Sequence, residues 1–548
     1  MRRLRGRVAG ADVAAPVRAG VHLSWFPFLR HAGLVPASTR VPLSASAFAN
    51  GAYAHGPRVK PGVTGKAGGK VLAAATALLL ASCGGPAPEA GPVTVSDEDR
   101  AAGAEQHPRL LAEFGGAYAG PEAAYVAQVG GRVAAAAGLE GSCTFTLVNS
   151  DVVNAFAVPG CYIYVTRGLF AIVGSEAELA SVLGHEVGHI VGRHSQRQGR
   201  RSVWRQLGVL AVSLTGSERL TRLAGQAAQY FGLRYSRRQE YESDDLGLRY
   251  LREAGYDPYA AADMLASLQR NEQFMNATGG RDEAKSIPEW ALSHPLTGNR
   301  VARAREAAEA TGLQDDQLPE REEAYLGQVD GLLYGDDPEQ GFVLGRRFAH
   351  PEMRIAFEAP QGFTLTNSPR AIYLSGPGGV RGEFGGGAMP EGGLDAYAQS
   401  LAAHIAGNAQ GEVAGARRTV VNGVPAVLLD LRVQGRSGVV PIRIAAYEGG
   451  GGQAYHFLTL SPPDADAGTA IEALFGSFRL LSAAEAASLR PRVIRTVAAP
   501  AGATLDTLAA RMAGGDGRAL FLLLNGRSAD QPIRPGERVK VVAYADAR

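Results

Sequence analysis

Two histidines four residues apart flank a glutamate in the run His185-Glu186-Val187-Gly188-His189. The surrounding stretch from Glu176 to Gln198 carries Leu179, Val182, Leu183, Val187, Ile190 and Val191 at helical spacing, which predicts a helix bedded in a core. Residues i and i+4 share a helix face, so the two imidazoles can hold one metal ion. Glu186 then stands within reach of a water at that ion, the place of a general base. The bland alternative is a chance pentapeptide whose histidines are ordinary core residues. A third ligand decides between them.

Two sources for that ligand can be weighed. The metzincin spacing, H-E-x-x-H-x-x-G-x-x-H, asks for a histidine at position 195. Gly192 sits in register, but residue 195 is Ser and His194 comes one residue early. At about 100° per residue, a continuous helix carries His194 roughly half a turn from His185. His194 is therefore expected to face away from the metal, as a structural or surface residue. The second source is a carboxylate from a later helix. Glu240 and Asp244 are four apart within the charged run from Tyr235 to Gly247, so one can bind metal while the other orients a ligating histidine. Read alone, such a run is a solvated face.

Together these residues resemble the HtpX/BepA-type zinc metallopeptidases, relatives of the CAAX prenyl proteases. Their signature is H-E-x-x-H followed by S-R-x-x-E-x-x-A-D, and Ser236-Arg237-Arg238-Gln239-Glu240-Tyr241-Glu242-Ser243-Asp244 matches the second part with Ser243 for alanine. The resemblance implies one Zn2+ per chain on His185, His189 and Glu240, with Glu186 as catalytic base and Asp244 behind a ligand. The run from Asn154 to Gly160 resembles the family's N-A-F-A-x-P-G-G strand, with Cys161 in place of the second glycine. An extended substrate is expected to add a strand along that edge, at Asn154, Ala155 and Phe156. Ser293-His294-Pro295, followed by Arg300, resembles the family's S/T-H-P-x-x-x-x-R element. His294 and Arg300 are candidate partners for a developing oxyanion, against helix capping or a surface ion pair. A third role for His294 is a plug in zinc's open position, carried by the polar stretch from Asn271 to Glu289, which has the composition of a mobile loop. The resemblance covers about residues 95 to 310.

The first 84 residues of the chain read differently. Residues 1–62 hold nine Lys or Arg against the single acid Asp12 and show no periodicity. Lys66 and Lys70 then precede an apolar run from Val71 to Ala81 and the tetrapeptide Leu80-Ala81-Ser82-Cys83. A basic flank, a short apolar core and a small-residue junction predict a secretory signal peptide over residues 63–82, too short to span a bilayer. Its end resembles a bacterial lipobox, which implies a lipidated Cys83 and a membrane anchor. Gly84 after the cysteine suggests the outer membrane and its periplasmic side. A signal so far along the chain suggests translation from Val59 or Val63, with the preceding residues a non-native, disordered extension. Removing residues 1–82 takes eleven Lys/Arg and one acid from totals of 55 and 53, leaving 44 against 52, or −8. That balance argues against a nucleic-acid partner.

The remaining cysteines, Cys143 and Cys161, are placed in strands near the metal helix, either bridged or as two buried thiols. Beyond a metallopeptidase domain at 83–310, residues 311–340 read as a linker or a strap. Residues 341–482 read as an antiparallel α+β accessory domain, with helices near 394–407 and 466–476. His404 and His456 there are incidental. Residues 490–548 resemble a LysM module, which suggests peptidoglycan contact, with a packing role as the alternative. The fold class is thus α+β, with a mainly helical zincin-type domain and a small edge sheet. The function implied is zinc-dependent hydrolysis of unfolded or misassembled envelope proteins. A chaperone or assembly scaffold with a latent zinc site, and a cell-wall-associated factor, are the rivals.

Overall fold

The computed structural model describes residues 94–197, 235–278, 294, 299–406, 411–435, 438–462 and 465–546. The extension, the signal peptide, Cys83, Ser293, Pro295 and the 279–289 part of the polar stretch lie outside them. Helices α1 (Asp97–Glu113) and α2 (Pro121–Ala136) lead into a three-stranded sheet of β1 (Thr144–Val148), β2 (Ala155–Val158) and β3 (Tyr162–Thr166). β3 is central, parallel to β1 and antiparallel to β2, so β2 is an edge strand. Cys143 and Cys161 form a disulfide with Cα atoms 4.6 Å apart. Neither lies within a strand: Cys143 precedes β1, and Cys161 sits in the β2–β3 turn at φ 59°. That left-handed backbone favours glycine, which is why a glycine suits the position in the resembling motif.

α3 (Arg167–Ile172) is followed by α4 (Glu176–Val191), the H-E-x-x-H helix. Ser175 caps α4 by accepting from the Glu178 amide, and Glu176 and Glu178 in its first turn suit the helix dipole. The Glu176 carboxylate also receives Tyr125, Tyr256, Arg132 and Arg321, which ties the start of α4 to three other parts of the chain. The helix does not run on to Gln198. It stops at Gly192, Arg193 turns left-handed at φ 50°, and a separate short helix spans His194–Arg197. The left-handed residue just past the cap is the geometry that ends many helices, carried here by Arg193 rather than by a glycine.

The helix Arg237–Glu253 crosses α4 at very short range. A Cβ on Gly184 would lie 3.0 Å from Gly247 O, and one on Gly188 3.0 Å from Ser243 O. Glycines on α4 and small residues opposite thus let the two backbones meet, and the ligand-bearing faces come together. Ser236 and Gln239 form a capping box that starts the second helix just ahead of Glu240. The helix Ala260–Thr278 takes in the first residues of the stretch expected as a loop; Asn271 is buried on it, so 271–278 are not loop.

Residues 311–340 are built into the core rather than free. The helix Glu322–Val329 buries Tyr325, Leu326 and Val329, and Leu333–Tyr334 pairs with the strand Arg492–Ala498. The accessory domain carries a seven-stranded sheet ordered Gly411–Val421, Val424–Gly435, Gly438–Glu448, Gln453–Leu460, Arg381–Ala388, Ile372–Ser375, Thr364–Thr366. Its helices are Gly393–Ala406 and Gly468–Gly476. At the C-terminus, Arg492–Ala498 and Arg538–Tyr544 pair antiparallel around helices Leu505–Ala509 and Gly517–Leu524. Ile494, Leu520, Leu523, Leu524 and Val542 of this module join the same apolar core as α2 and α4. No helix among the described residues is long and apolar enough to cross a membrane.

Candidate metal centre

α4 and the helix Arg237–Glu253 deliver His185, His189 and Glu240 to one buried point, joined by His294. His185 Nε2 and His189 Nε2 are 3.0 Å apart. Glu240 places Oε2 3.6 Å from the first and Oε1 3.6 Å from the second. His294 Nδ1 lies 3.3 Å from His185 Nε2 and 3.1 Å from Glu240 Oε1. Donors bound about 2.0–2.1 Å from a tetrahedral zinc sit roughly 3.3 Å apart, so this nitrogen–nitrogen–oxygen set fits zinc, with His294 Nδ1 at the fourth corner. Bound there, zinc acts as a Lewis acid toward a carbonyl.

The groups behind the donors hold them in place. Asp244 Oδ1 lies 2.9 Å from His185 Nδ1, the nitrogen turned away from the cluster. Arg300 donates Nε and Nη2 to the two oxygens of Asp244, at 2.9 and 2.7 Å, and sets Nη1 2.9 Å from Glu240 Oε2. Arg300 was a candidate for the oxyanion. Its nitrogens are turned onto the carboxylates of Asp244 and Glu240, and its side chain is buried. Tyr235 stacks on His189 with ring centroids 3.9 Å apart.

The charges of these groups follow their surroundings. Burial alone would raise the Glu240 carboxyl; His294, His185 and Arg300 outweigh it and hold it below the usual range. Burial is likewise outweighed at Asp244, by Arg300 and His185, which hold it well below. Glu186 differs. Burial pushes its carboxyl up, and His294 and His185 offset that only in part. Glu186 receives the Ala157 amide from β2, while its buried Oε1 makes no hydrogen bond among the described residues and faces His294 Nε2 at 3.6 Å. The base, the edge strand and the fourth corner therefore adjoin. Ala155 and Asn154 are buried, and Phe156 stacks on Tyr164.

Tyr235 escaped the sequence reading, since it carried no spacing signal. His194, expected to face away from the metal as a structural or surface residue, is buried outside the donor cluster with Nδ1 2.8 Å from His189 Nδ1, a contact the spacing did not foresee. Gly192 was the available clue, since a glycine there ends α4 and lets the chain turn back.

Residues 121–308 match the sequence model of Peptidase family M48. The chain carries an M48 metallopeptidase domain. M48 metallopeptidases are zinc-dependent, and the four-residue cluster is where this domain can hold the ion. The chain is 32% identical over 195 residues to the beta-barrel assembly-enhancing protease of Yersinia pestis, covering 34% of this chain and 38% of that protein. It is 32% identical over 202 residues to the mitochondrial metalloendopeptidase OMA1 of Arabidopsis thaliana, covering 36% and 38%. The beta-barrel assembly-enhancing protease of Escherichia coli K12 is 30% identical over 174 residues, covering 30% and 34%. The chain thus spans little more than a third of the length of these relatives.

Proposed function

We propose that this M48 domain is a zinc-dependent endopeptidase acting on unfolded or misassembled proteins of the bacterial cell envelope. The observation that carries the reading is the near-tetrahedral donor set of His185, His189 and Glu240 with the free oxygen of Glu186 beside it. His185, His189 and Glu240 hold the metal, with Asp244 and Arg300 keeping the donors aimed inward. An extended substrate pairs with the outer edge of β2, the strand whose Ala157 amide reaches Glu186. Glu186, raised by burial, takes a proton from the attacking water at Oε1 and returns it to the leaving amine. His294 Nδ1 has to leave the fourth corner for this to occur, and once displaced it can face the developing oxyanion.

The envelope setting rests on the beta-barrel assembly-enhancing proteases among the relatives, the lipobox-like Cys83 and the Cys143–Cys161 disulfide, which suits an oxidising compartment. On the same footing we place the protein on the periplasmic side of the outer membrane, held by lipid. Its C-terminal LysM-like module is a candidate for peptidoglycan contact. The test is hydrolysis of unfolded casein by the zinc-loaded full chain: wild type is expected to cleave, and Glu186→Gln to keep zinc and lose turnover. Equal cleavage by both defeats the reading. His294 at the fourth corner favours a second reading, a scaffold or chaperone whose site stays latent. That reading gains if wild type loads zinc and binds casein without cutting it.

A further inference from the structure

The two histidines of H-E-x-x-H are held from behind by different devices. His185 Nδ1 meets a carboxylate, Asp244, at 2.9 Å. His189 Nδ1 meets another imidazole nitrogen, His194 Nδ1, at 2.8 Å. A histidine that offers Nε2 to a metal carries its ring proton on Nδ1, so His189 donates here and His194 Nδ1 accepts. The proton of a neutral His194 then sits on Nε2, and that nitrogen faces Glu242 Oε2 at 3.4 Å. Arg197 grips both oxygens of Glu242, at 2.7 and 3.1 Å. Its Nε donates to Gly192 O at 2.7 Å, the residue that caps α4. His194 Nε2 makes no hydrogen bond of good geometry among the described residues, so its link to Glu242 is electrostatic, and the contacts run from His189 back to the end of the helix that carries it. The stacked Tyr235 ring closes off the remaining freedom, rotation of the His189 ring out of its plane.

We propose that His194 is a positioning residue for His189. It accepts the Nδ1 proton, fixes the tautomer that turns Nε2 to the metal, and is itself oriented by Glu242 and Arg197. The inference deepens the zinc reading and rests on it. His194 is outside the four-residue donor cluster, and its Nδ1 is already occupied by His189, with Ser243 Oγ 3.3 Å away. A histidine that merely filled space in this turn would affect folding and leave the metal alone. A positioning histidine affects the metal first.

The deciding measurements are the zinc dissociation constant of the full chain, by chelator competition, and the visible spectrum of the Co2+-substituted protein. His194→Leu removes the acceptor and is expected to weaken zinc binding about 10- to 100-fold and to shift the Co2+ bands. His194→Asn offers a carboxamide oxygen to the same Nδ1–H and is expected to recover most of the loss. Glu242→Ala, which removes the acceptor at a side chain partly open to solvent, is expected to weaken zinc by a smaller factor with no change in the melting of the metal-free protein. A folded His194→Leu with wild-type affinity and spectrum overturns the proposal, as does an Asn variant no better than Leu. Should His194→Leu not fold, Glu242→Ala decides: weakened zinc supports the positioning role, and unchanged zinc refutes it. Failure of the wild type to bind zinc, or retention of zinc by His185→Ala, defeats the zinc reading itself and is distinguishable from every outcome above.

Discussion

Two regions of this protein bury charge, and they do so in contrasting ways. At the metal centre, His185, His189, Glu240 and Asp244 come from two helices that cross at glycine, Arg300 reaches in from the helix Asn299–Glu309, and almost every charge has an opposite charge within 3.6 Å. At the seam between the C-terminal module and the peptidase, Lys540 is buried with its ammonium on two backbone carbonyls, Ala171 O at 3.0 Å and Val173 O at 2.6 Å. Burial pulls Lys540 down to about 8, opposed by the neighbouring carboxylates of Glu178 and Glu322. The first arrangement spends buried charge on holding an ion. The second spends it on fastening strand Arg538–Tyr544 to the end of α3. Chemistry and cohesion are therefore separable here, and substitutions should divide accordingly.

The largest effects are expected at the centre. His185→Ala, His189→Ala and Glu240→Ala should each lose zinc and abolish hydrolysis while leaving the secondary structure of the metal-free protein intact. Glu186→Gln should keep zinc and lose turnover by about 10²- to 10⁴-fold, the usual share of a general base. Metal analysis of the purified variants checks this, and full zinc retention in Glu240→Ala would remove it as third ligand.

The disulfide and the seam come next, and both should act on stability. Cys143→Ser is expected to cost about 3 kcal/mol under oxidising conditions, as for closure of a loop of this order, and nothing under reducing ones. Lys540→Met strands two buried carbonyls and is expected to cost roughly 2–3 kcal/mol. Denaturant melts with zinc titration measure each. An unfolded Lys540 titrates near 10.5 and the folded one near 8, so between those pH values the unfolded state binds the extra proton. Wild-type stability should accordingly rise with pH relative to Lys540→Met across that window. If Lys540→Met lowered zinc affinity as strongly as His189→Ala, the separation of the two regions would collapse.

The smallest expected effect sharpens the comparison. His294→Ala should change casein hydrolysis several-fold without unfolding the chain, upward if the imidazole plugs the fourth corner and downward if it serves the oxyanion. Unchanged kinetics would leave His294 a structural residue.

Legibility differed between the regions for a physical reason. Side chains i and i+4 on a helix leave a trace in spacing, so the pairs His185/His189 and Glu240/Asp244 could be read locally, while the choice of Glu240 and the placing of His294 came from the resemblance. Strands Val424–Gly435 and Gln453–Leu460 were visible in their apolar runs, with valines in the first and Tyr455 and Phe457 in the second. The strand Arg381–Ala388 was not: its glycines at 382 and 385–387 read as turn, yet it pairs along its whole length with Gln453–Leu460. The edge strand Gly411–Val421, mostly solvated and broken by a bulge between Val413 and Gly415, also lacked the alternation that marks a half-buried strand.

What the sequence by itself offered is a candidate metal site: H-E-x-x-H, and Glu240 with Asp244, share helix faces by their four-residue spacing, and the family resemblance implies which carboxylate is the ligand. Only the tertiary structure decided three further points. It stopped α4 at Gly192 and so turned His194 back onto His189. It turned Arg300 onto Glu240 and Asp244 rather than toward a substrate. It seated Lys540 against Val173, a residue 367 positions away. Contacts of that kind depend on where a helix ends and which surface it meets, and neither is written in the spacing of the residues that make them.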